Sequence, residues 1–241
     1  MKPEILFISD LHISWDKPEI TQRFLHFLDN RAIEASTLYI LGDLFDAWVG
    51  DDDSSPPNPK IRNSLKRLTG SGTKIYFQQG NRDFLLGKQF CDDTGIVLLD
   101  DPFVIDLFGV PTLLMHGDLL CTDDLPYQEF RNKSRSPEWQ HNVLSKPLFV
   151  RLLAARWYRI RSYFHKRQKT QEIMDVNQDT VAGTMAEHDC LRLIHGHTHR
   201  PDIHNFEING KPAQRYVLAA WTKDQGVALV WSENGFRIET L

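Results

Sequence analysis

The chain has 241 residues, 41% of them hydrophobic and 25% charged, which suits one large folded domain of ordinary globular composition. Its formal net charge of −4 gives no general attraction to polyanions, so we expect no nucleic-acid partner. Three widely spaced cysteines, the lack of a leader and the lack of an apolar run near ~18 residues argue against a disulfide framework, secretion and a transmembrane helix.

Up to residue 78, apolar runs typical of buried strands alternate with helical patterns. The predicted strands are Ile5–Ile8, Thr37–Leu41 and Lys74–Gln78, and the predicted helices are Pro18–Glu34 and Ile61–Leu68. Between them Asp51–Pro59, which is acidic and then rich in Ser and Pro, indicates a surface loop. This alternation is typical of an α/β fold.

Beyond residue 95 the pattern changes to short strands joined by tight turns. Asn209-Gly210 and Asn234-Gly235 predict two hairpins near the C-terminus. The predicted strands are Val97–Leu99, Phe103–Leu107, Pro111–Met115, Ile203–Ile208, Gln214–Ala220, Val227–Trp231 and Phe236–Thr240. We therefore expect one α/β domain over residues 1–241, with two packed mixed sheets flanked by helices in an α/β/β/α arrangement.

Residues 125–188 interrupt the strands with helical spacing. Within them, apolar residues recur every three or four positions at Phe149, Leu153, Trp157, Ile160 and Phe164. The segment also carries a run of cations with no acid among them: Lys146, Arg151, Arg156, Arg159, Arg161, Lys166, Arg167 and Lys169. We expect a helical insertion over residues 125–188, apolar on one face and basic on another. A solvated helix face over an ordinary core stripe is the plainer alternative.

Five short polar motifs follow the predicted strands in order along the chain. They are Asp10-Leu11-His12, Gly42-Asp43-Leu44-Phe45-Asp46, Gly80-Asn81-Arg82-Asp83, His116-Gly117-Asp118 and His195-Gly196-His197-Thr198-His199. Carboxylate, amide and imidazole groups at strand ends are ligands for divalent metals, and several imidazoles with few carboxylates favour Mn²⁺, Fe²⁺ or Zn²⁺. An i, i+2 spacing puts Asp10 with His12, and His197 with His199, on one side of an extended chain.

Each motif alone has a plainer explanation. Asp10 could cap the following helix, and His116 or His195 could be a satisfied core histidine. Gly42 and Gly80 could mark no more than tight turns. Because these explanations would have to hold separately and in order, we favour a two-metal site in which Asp43 is shared. Its predicted ligands are Asp10, His12, Asp43, Asn81, His116, His197 and His199.

The ordered set resembles the calcineurin-like metallophosphoesterases, whose pattern is D-x-H, G-D-x-x-D, G-N-H-[DE], H and G-H-x-H. The resemblance covers nearly the whole chain. It implies one ion held by Asp10, His12, Asp43 and His199, and a second held by Asp43, Asn81, His116 and His197. It leaves His195 and Asp46 as outer support for these ligands.

One position departs from the family pattern, because Arg82 stands where most members have histidine. Arginine can clamp a phosphate through two hydrogen bonds but cannot donate a proton, so we expect no general acid at this position. A phosphate monoester leaving a pyrophosphate does not need one. The catalytic residues that the resemblance implies are Asp43, Asn81, Arg82, His116 and His197.

Arg82, the Gly42–Trp48 run and the basic insertion resemble one branch of that family, which cleaves UDP-2,3-diacylglucosamine in lipid A synthesis of Gram-negative bacteria. That implies attack of metal-activated water on the α-phosphorus, giving UMP and 2,3-diacylglucosamine 1-phosphate. It implies two Mn²⁺ per chain, with Fe²⁺ or Zn²⁺ as alternatives, and peripheral attachment to the cytoplasmic face of the inner membrane. It also implies that the insertion over residues 125–188 is a lid whose grooves hold the acyl chains. We also expect a monomer. The implied substrate contacts are Asn81, Arg82, Asp124, Ser162, Lys166, Lys169 and His197.

Three alternatives stay open at this point. The first is an enzyme of the same fold that acts on nucleic acid, a cyclic nucleotide or a phosphoprotein. The second is a non-catalytic scaffold of that fold, such as a retromer subunit, and the third is a membrane-surface adaptor that works through its basic helices. The net charge of −4 disfavours a nuclease, and the intact ligand set disfavours a scaffold.

Overall fold

Two β-sheets face each other in the computed structural model, which describes residues 4–166 and 175–241 and, for residues 160–166, the helical backbone alone. The strands are β1 (Ile5–Ile8), β2 (Thr37–Leu41), β3 (Lys74–Gln78), β4 (Val97–Leu99), β5 (Phe103–Leu107), β6 (Val110–Met115), β7 (Arg192–His195), β8 (Asp202–Ile208), β9 (Lys211–Val217), β10 (Val227–Ser232) and β11 (Gly235–Thr240). The helices are α1 (Pro18–Asn30), α2 (Asn58–Gly70), α3 (Lys88–Thr94), α4 (Leu125–Ser134), α5 (Pro137–Leu144), α6 (Leu148–Lys166) and α7 (Gln178–Glu187).

The first sheet has the strand order β11-β10-β1-β2-β3-β4, and the second has the order β5-β6-β7-β9-β8. Strands β1 to β4 run parallel to one another, and so do β6, β7 and β9. The carboxyl ends of parallel neighbours meet at one edge of a sheet, which is where binding residues gather in open α/β sheets. The topology therefore brings the residues after β1, β2 and β3 to one edge, and those after β6 and β7 to the corresponding edge of the second sheet.

The central strands are apolar on both faces because both faces are covered. In β1, Leu6 and Ile8 pack with the core under α1 and α2, whereas Phe7 points into the core between the sheets. All three side chains are fully buried. Continuous apolar runs of this kind are expected for parallel strands with layers on either side. The α/β/β/α arrangement expected from the sequence is confirmed.

Several helices and strands differ from the sequence predictions, and helix α2 begins at Asn58 and ends at Gly70, beyond both ends of the predicted Ile61–Leu68. The helix predicted over Pro18–Glu34 ends at Asn30 and continues as a separate 3₁₀ turn, Ala32–Glu34. Helix α3 was not predicted, since only Phe90 and Thr94 of its seven residues are buried and the helical period is weak. Strand β9 begins at Lys211, directly after the Asn209-Gly210 turn, and ends at Val217, so the prediction of Gln214–Ala220 was shifted along the chain.

The helical segment between β6 and β7 has two distinct parts. Helices α4, α5 and α6 lie on the side of the motifs that follow β2 and β3, which Arg135 and Arg151 contact. Helix α7 instead buries Val181 and Met185 against Leu113 and Leu193 of the second sheet. Helix α7 is thus the outer layer of the sandwich. In the described ranges, no helix combines the length and hydrophobicity that crossing a bilayer requires.

Candidate metal centre

The predicted ligands all sit on loops that leave the carboxyl ends of strands. Asp10 and His12 follow β1, Asp43 follows β2, and Asn81 follows β3. His116 follows β6, and His197 and His199 follow β7. Backbone hydrogen bonds join neighbouring loops within each sheet, including Asp10 N–H to Gly42 O at 3.1 Å and Gly196 N–H to His116 O at 2.9 Å. The His197 N–H donates to Asp10 Oδ2 at 2.9 Å and so joins the loops of the two sheets.

One group of side chains consists of Asp10, His12 and His199. The Nε2 atoms of His12 and His199 face each other at 3.2 Å, and His199 Nε2 lies 3.3 Å from Asp10 Oδ1. The ligand atoms of these three residues all lie within 4.8 Å of one another. Two imidazole nitrogens and one carboxylate oxygen thus point at a common centre.

A second group consists of Asn81, His116 and His197. Asn81 Oδ1 lies 3.0 Å from His116 Nε2 and 2.9 Å from His197 Nδ1. The rings of His116 and His197 meet edge to face, with centroids 5.0 Å apart. His197 and His199 therefore face different groups, although their spacing along the chain is the same as that of Asp10 and His12.

Two carboxylates lie between the groups. Asp43 Oδ1 is 3.8 Å from His116 Nε2, and Asp43 Oδ2 is 3.8 Å from His12 Nδ1. Asp10, Asp43 and His116 also present ligand atoms within 4.8 Å of one another. Both Asp10 and Asp43 are thus placed where a bridging carboxylate would be needed. The assignment of ligands to individual ions stays a prediction.

The donor set fits divalent cations. Among the described residues, His12 Nδ1 is a buried atom without a hydrogen-bond partner, and Asp10 Oδ1 has none beyond the 3.3 Å contact with His199 Nε2, which is costly unless something else compensates these atoms. Burial raises the pKa of Asp43 to about 7. Burial by itself would lower the pKa of His116, but the carboxylates of Asp43, Asp118 and Asp10 outweigh it and raise this pKa to about 9. Without metal ions, Asp43 and His116 therefore bind protons more readily than they would in water. Bound metal ions would take the place of these protons.

The backbone of the ligand loops is unusual. Asp10, His12, Asp43, His197 and His199 all have positive φ angles, between 50° and 68°. Residues other than glycine rarely adopt this left-handed conformation, and it concentrates at functional sites. The extended geometry expected for the two i, i+2 pairs was therefore wrong, because the loops turn sharply at these residues.

Asp83 links the loops after β2 and β3 through hydrogen bonds to their backbones. This fully buried carboxylate accepts hydrogen bonds from Gly80 N–H at 2.8 Å, Asp43 N–H at 3.2 Å and Phe45 N–H at 3.3 Å. A Cβ atom on Gly80 would collide with Asp43 Oδ1. Gly80, which has no positive φ, is thus needed for close approach of the two loops, so the tight-turn explanation for it was wrong.

Of the other plainer explanations, the one for Asp10 is wrong, and those for Gly42 and His195 agree with the structure. Asp10 does not cap the following helix, whose N-cap is Lys17. Gly42 does occupy a left-handed turn, with φ of 84°. His195 is a satisfied buried histidine, with Nδ1 2.8 Å from Gly196 O and Nε2 3.3 Å from Arg215 Nη1. Burial and the charge of Arg215 lower its pKa to about 3, so it is neutral.

The remaining predicted site residues lie around this centre. Arg82 donates its backbone N–H to Asp43 Oδ1 at 2.8 Å, and its side chain lines the neighbouring groove. Asp46 forms an ion pair with Arg159 of α6. Asp124 is buried and caps α4 by accepting the Tyr127 N–H at 3.2 Å. Ser162 and Lys166 lie in the part of α6 whose side chains are not described, and Lys169 lies outside the described residues.

A groove of about 350 Å³ opens beside Asn81 and Arg82, between the motif loops and helices α4 to α6. Aromatic and aliphatic side chains form its walls, among them Trp48, Phe84, Phe130, Trp139, Val143 and Tyr158. Arg151 does not serve as a free cation there. It is almost fully buried, donates to Val49 O at 2.5 Å and pairs with Asp52, so this member of the basic run is not available to phosphate or lipid.

The calcineurin-like phosphoesterase family model matches residues 3–201 of the chain. The UDP-2,3-diacylglucosamine hydrolase of Aliivibrio fischeri (strain MJ11) is 52% identical over 231 residues, which is 95% of each chain. The protein of the same name from Marinobacter nauticus is 47% identical over 233 residues, covering 93% of this chain and 96% of that one. Among solved structures, an archaeal phosphodiesterase matches 99% of both chains with a TM-score of 0.50 at 13% identity, which supports the fold alone.

Proposed function

This chain belongs to the calcineurin-like phosphoesterases, a family of metal-dependent hydrolases, and on that premise we propose its substrate, its metal ions and where it acts. It hydrolyses UDP-2,3-diacylglucosamine to UMP and 2,3-diacylglucosamine 1-phosphate. The observation that carries this proposal is a carboxylate–histidine–amide centre whose Asn81 also lines an apolar groove, next to Arg82. Full-length identity of 52% to a protein named for this reaction supports it.

The groove suits acyl chains. Phe130 stacks on Tyr158 with ring centroids 5.0 Å apart, and Phe84 and Trp139 lie 5.9 Å apart on the wall nearer the motif loops. A lipid tail gains free energy for each methylene that leaves water, at about 0.8 kcal/mol per CH₂. A diacylated sugar can therefore bind with its tails along this wall and its phosphates at the polar end.

The seven predicted ligands would hold two Mn²⁺ ions. Bound ions of this kind lower the pKa of water and polarise phosphoryl oxygens. Arg82 lies at the junction of centre and groove, where its guanidinium would clamp the phosphate that leaves with the sugar. Asn81 and His197, whose Oδ1 and Nδ1 atoms lie 2.9 Å apart, would orient the phosphate group that water attacks.

The outer surface of α6 supports peripheral attachment to an anionic membrane. Phe149 and Leu153 are each 65% exposed and lie four residues apart, which places them on one helix face. Trp157, which is 61% exposed, follows at the next step of four and also lines the groove. Lys146 and Arg156 on the same segment are exposed cations. Exposed aromatic and aliphatic side chains beside cations bind the interface of anionic bilayers.

The reaction is tested by UMP release from UDP-2,3-diacylglucosamine by the purified metal-free protein, with and without added Mn²⁺. Bis(p-nitrophenyl) phosphate and single-stranded DNA serve as competing substrates. We expect Mn²⁺-dependent UMP release, with turnover of the lipid nucleotide far above that of the other two. Preferred cleavage of DNA, or no metal-dependent turnover at all, would contradict the proposal.

Membrane attachment is tested by sedimentation with vesicles that contain anionic phospholipid. Replacing Leu153 by Asp should reduce the bound fraction, because this residue is 65% exposed and does not line the groove. The matched control is Ile238→Asp, which places the same charge at a 62% exposed apolar residue of β11. Equal losses in both variants would argue against attachment through α6.

A further inference from the structure

Helix α4 carries two arginines, one helical turn apart, that reach towards the second group of ligands. Arg131 lies inside the helix and Arg135 is its C-terminal cap. At a spacing of four residues, both side chains leave the same face of the helix. Neither belongs to the sequence motifs, and the predicted metal centre contains neither of them.

Arg131 pairs with two buried acids that flank His116. Its Nε donates to Asp118 Oδ2 at 2.8 Å, and its Nη2 lies 3.3 Å from Asp101 Oδ2. Asp101 in turn accepts the backbone N–H of His116 through Oδ1 at 3.3 Å. Asp118 has no exposed surface and the Asp101 side chain is 8% exposed, so loss of the guanidinium would leave two buried charges unpaired.

The Asp118 carboxylate also connects Arg131 to His197, through Tyr127. Tyr127 of α4 donates its hydroxyl to Asp118 Oδ2, the atom that Arg131 also contacts. The Tyr127 ring lies almost parallel to the His197 ring, at 27° and with centroids 6.2 Å apart. The helix thus supports both histidines that converge on Asn81.

Arg135 holds the third member of this group. Its guanidinium donates to Gln79 Oε1 at 2.9 Å and to Gly80 O at 2.9 Å, and it lies 5.4 Å from the centre of the Phe84 ring. The Gly80 carbonyl belongs to the peptide bond that enters Asn81. Arg135 thus contacts the backbone beside Asn81 and Arg131 contacts the partner of the His116 backbone, whereas His197 is reached through Tyr127, which shares Asp118 with Arg131.

The other ligand group depends on different contacts. The Ser9 hydroxyl donates to Asp10 Oδ2 at 2.6 Å, and His12 N–H donates to Asp43 O at 2.9 Å. The first bond lies within the loop after β1, the second links that loop to the one after β2, and neither involves α4. A change in α4 should therefore act on one half of the centre.

We infer that Arg131 and Arg135 are positioning residues for the metal ion held by Asn81, His116 and His197. The inference rests on the proposed two-ion centre. Outer partners of metal ligands typically contribute about 10–100-fold in metal affinity. Each arginine should contribute within that range to one ion and leave the other unchanged.

The experiment titrates Mn²⁺ into metal-free wild-type protein, R131M and R135M, and records the electron paramagnetic resonance spectrum of each. Methionine keeps much of the arginine stem and removes its hydrogen bonds. The matched control is R31M, because Arg31 also pairs with two acids, Glu4 and Glu239, each at 2.6 Å and away from the centre. R131K serves as the conservative variant.

We expect the wild type and R31M to bind two ions and give the spectrum of a coupled pair. R131M and R135M should bind one ion as tightly as the wild type and the other about 10–100-fold more weakly, with the spectrum of an isolated ion. R131K should recover part of the difference. If R131M fails to fold, R135M alone decides the outcome.

Two results would overturn the inference. One is unchanged binding of both ions in R135M and in folded R131M, and the other is equal weakening of both ions, which indicates general destabilisation. A wild-type protein that binds a single ion would instead contradict the proposed two-ion centre.

Discussion

Asp43 joins three of the loops that build the metal centre. Its backbone carbonyl accepts the His12 N–H at 2.9 Å, its Oδ1 accepts the Arg82 N–H at 2.8 Å, and the same oxygen lies 3.8 Å from His116 Nε2. Asp43→Asn keeps the shape but removes the negative charge and one oxygen ligand. We expect UMP release to fall by roughly 100-fold or more, since the centre loses a shared ligand. Near-normal turnover with Mn²⁺ in a steady-state assay would contradict a bridging role.

Arg82 is expected to act on substrate and not on metal. Its backbone is fixed by Asp43, whereas its side chain faces the groove. Arg82→Ala should lower turnover by ~10²-fold through loss of charge stabilisation on the phosphates. Mn²⁺ affinity, measured by titration calorimetry on the same variant, should stay within about twofold of the wild type. A large loss of metal binding would instead place Arg82 in the metal centre.

The residues at which sequence and structure differ are those that act through the backbone. The sequence identified Asp10, His12, His197 and His199 because their chemistry is visible in their side chains. Their left-handed φ angles were not predictable, since no glycine or asparagine marks them. Asp83 stood in a motif, but nothing in that motif indicated that it accepts three backbone hydrogen bonds.

At the scale of elements, hairpins were easier to predict than helices with little burial. Asn209-Gly210 marks the β8–β9 turn correctly, and both residues have the positive φ that such a turn requires. Helix α3 was missed because it buries few side chains. Arg131 was missed for a different reason, because its partners Asp101 and Asp118 are distant in sequence and only the folded chain brings them together.

Two glycines offer a test in which the same substitution should have opposite effects. Gly210 has φ of 73° and Gly183 lies within α7, and a Cβ would meet no atom within 4 Å at either position. Gly210→Ala should therefore cost about 1 kcal/mol of unfolding free energy from backbone strain alone. Gly183→Ala should stabilise by about 0.5–1 kcal/mol, because alanine favours a helix interior. Urea denaturation of both variants measures the difference, and changes of equal sign would contradict it.

For the molecule as a whole, the metal centre without its ions lowers the stability of the folded chain, and bound ions can offset this loss. Buried acids and left-handed ligand residues meet at the edges of both sheets. Ions that bind only the folded chain stabilise it by about 2.7 kcal/mol at 100 times their dissociation constant. Removing metal with a chelator should therefore lower the melting temperature by roughly 5–10 °C, as measured by calorimetry. An unchanged melting temperature would argue that the centre holds no ion.

A charged cluster far from the centre predicts how stability depends on pH. Arg237 and Arg31 lower the pKa of Glu4 from 4.5 through hydrogen bonds of 2.7 and 2.6 Å, although partial burial opposes them. A lowered folded-state pKa means that this contribution is complete above pH 4.5 and is lost as the pH falls below it. At neutral pH, the free energy of unfolding of the wild type should exceed that of Glu4→Gln by about 1 kcal/mol. Denaturation at a series of pH values should show that the free energies of unfolding of the two proteins converge in acid. A difference that stays constant with pH would contradict this.

The chain leaves the sandwich and returns to it at almost the same place. Asn177 donates its backbone N–H to Leu120 O at 2.9 Å, and its side chain contacts Asp123 at 3.2 Å. All seven candidate ligands and both sheets lie outside residues 124–176. A recombination event could thus exchange this whole segment, and with it the class of molecule that is recognised, while the reactive centre is inherited intact. The inherited centre would keep its second half in place only if the incoming segment brought counterparts of Arg131 and Arg135.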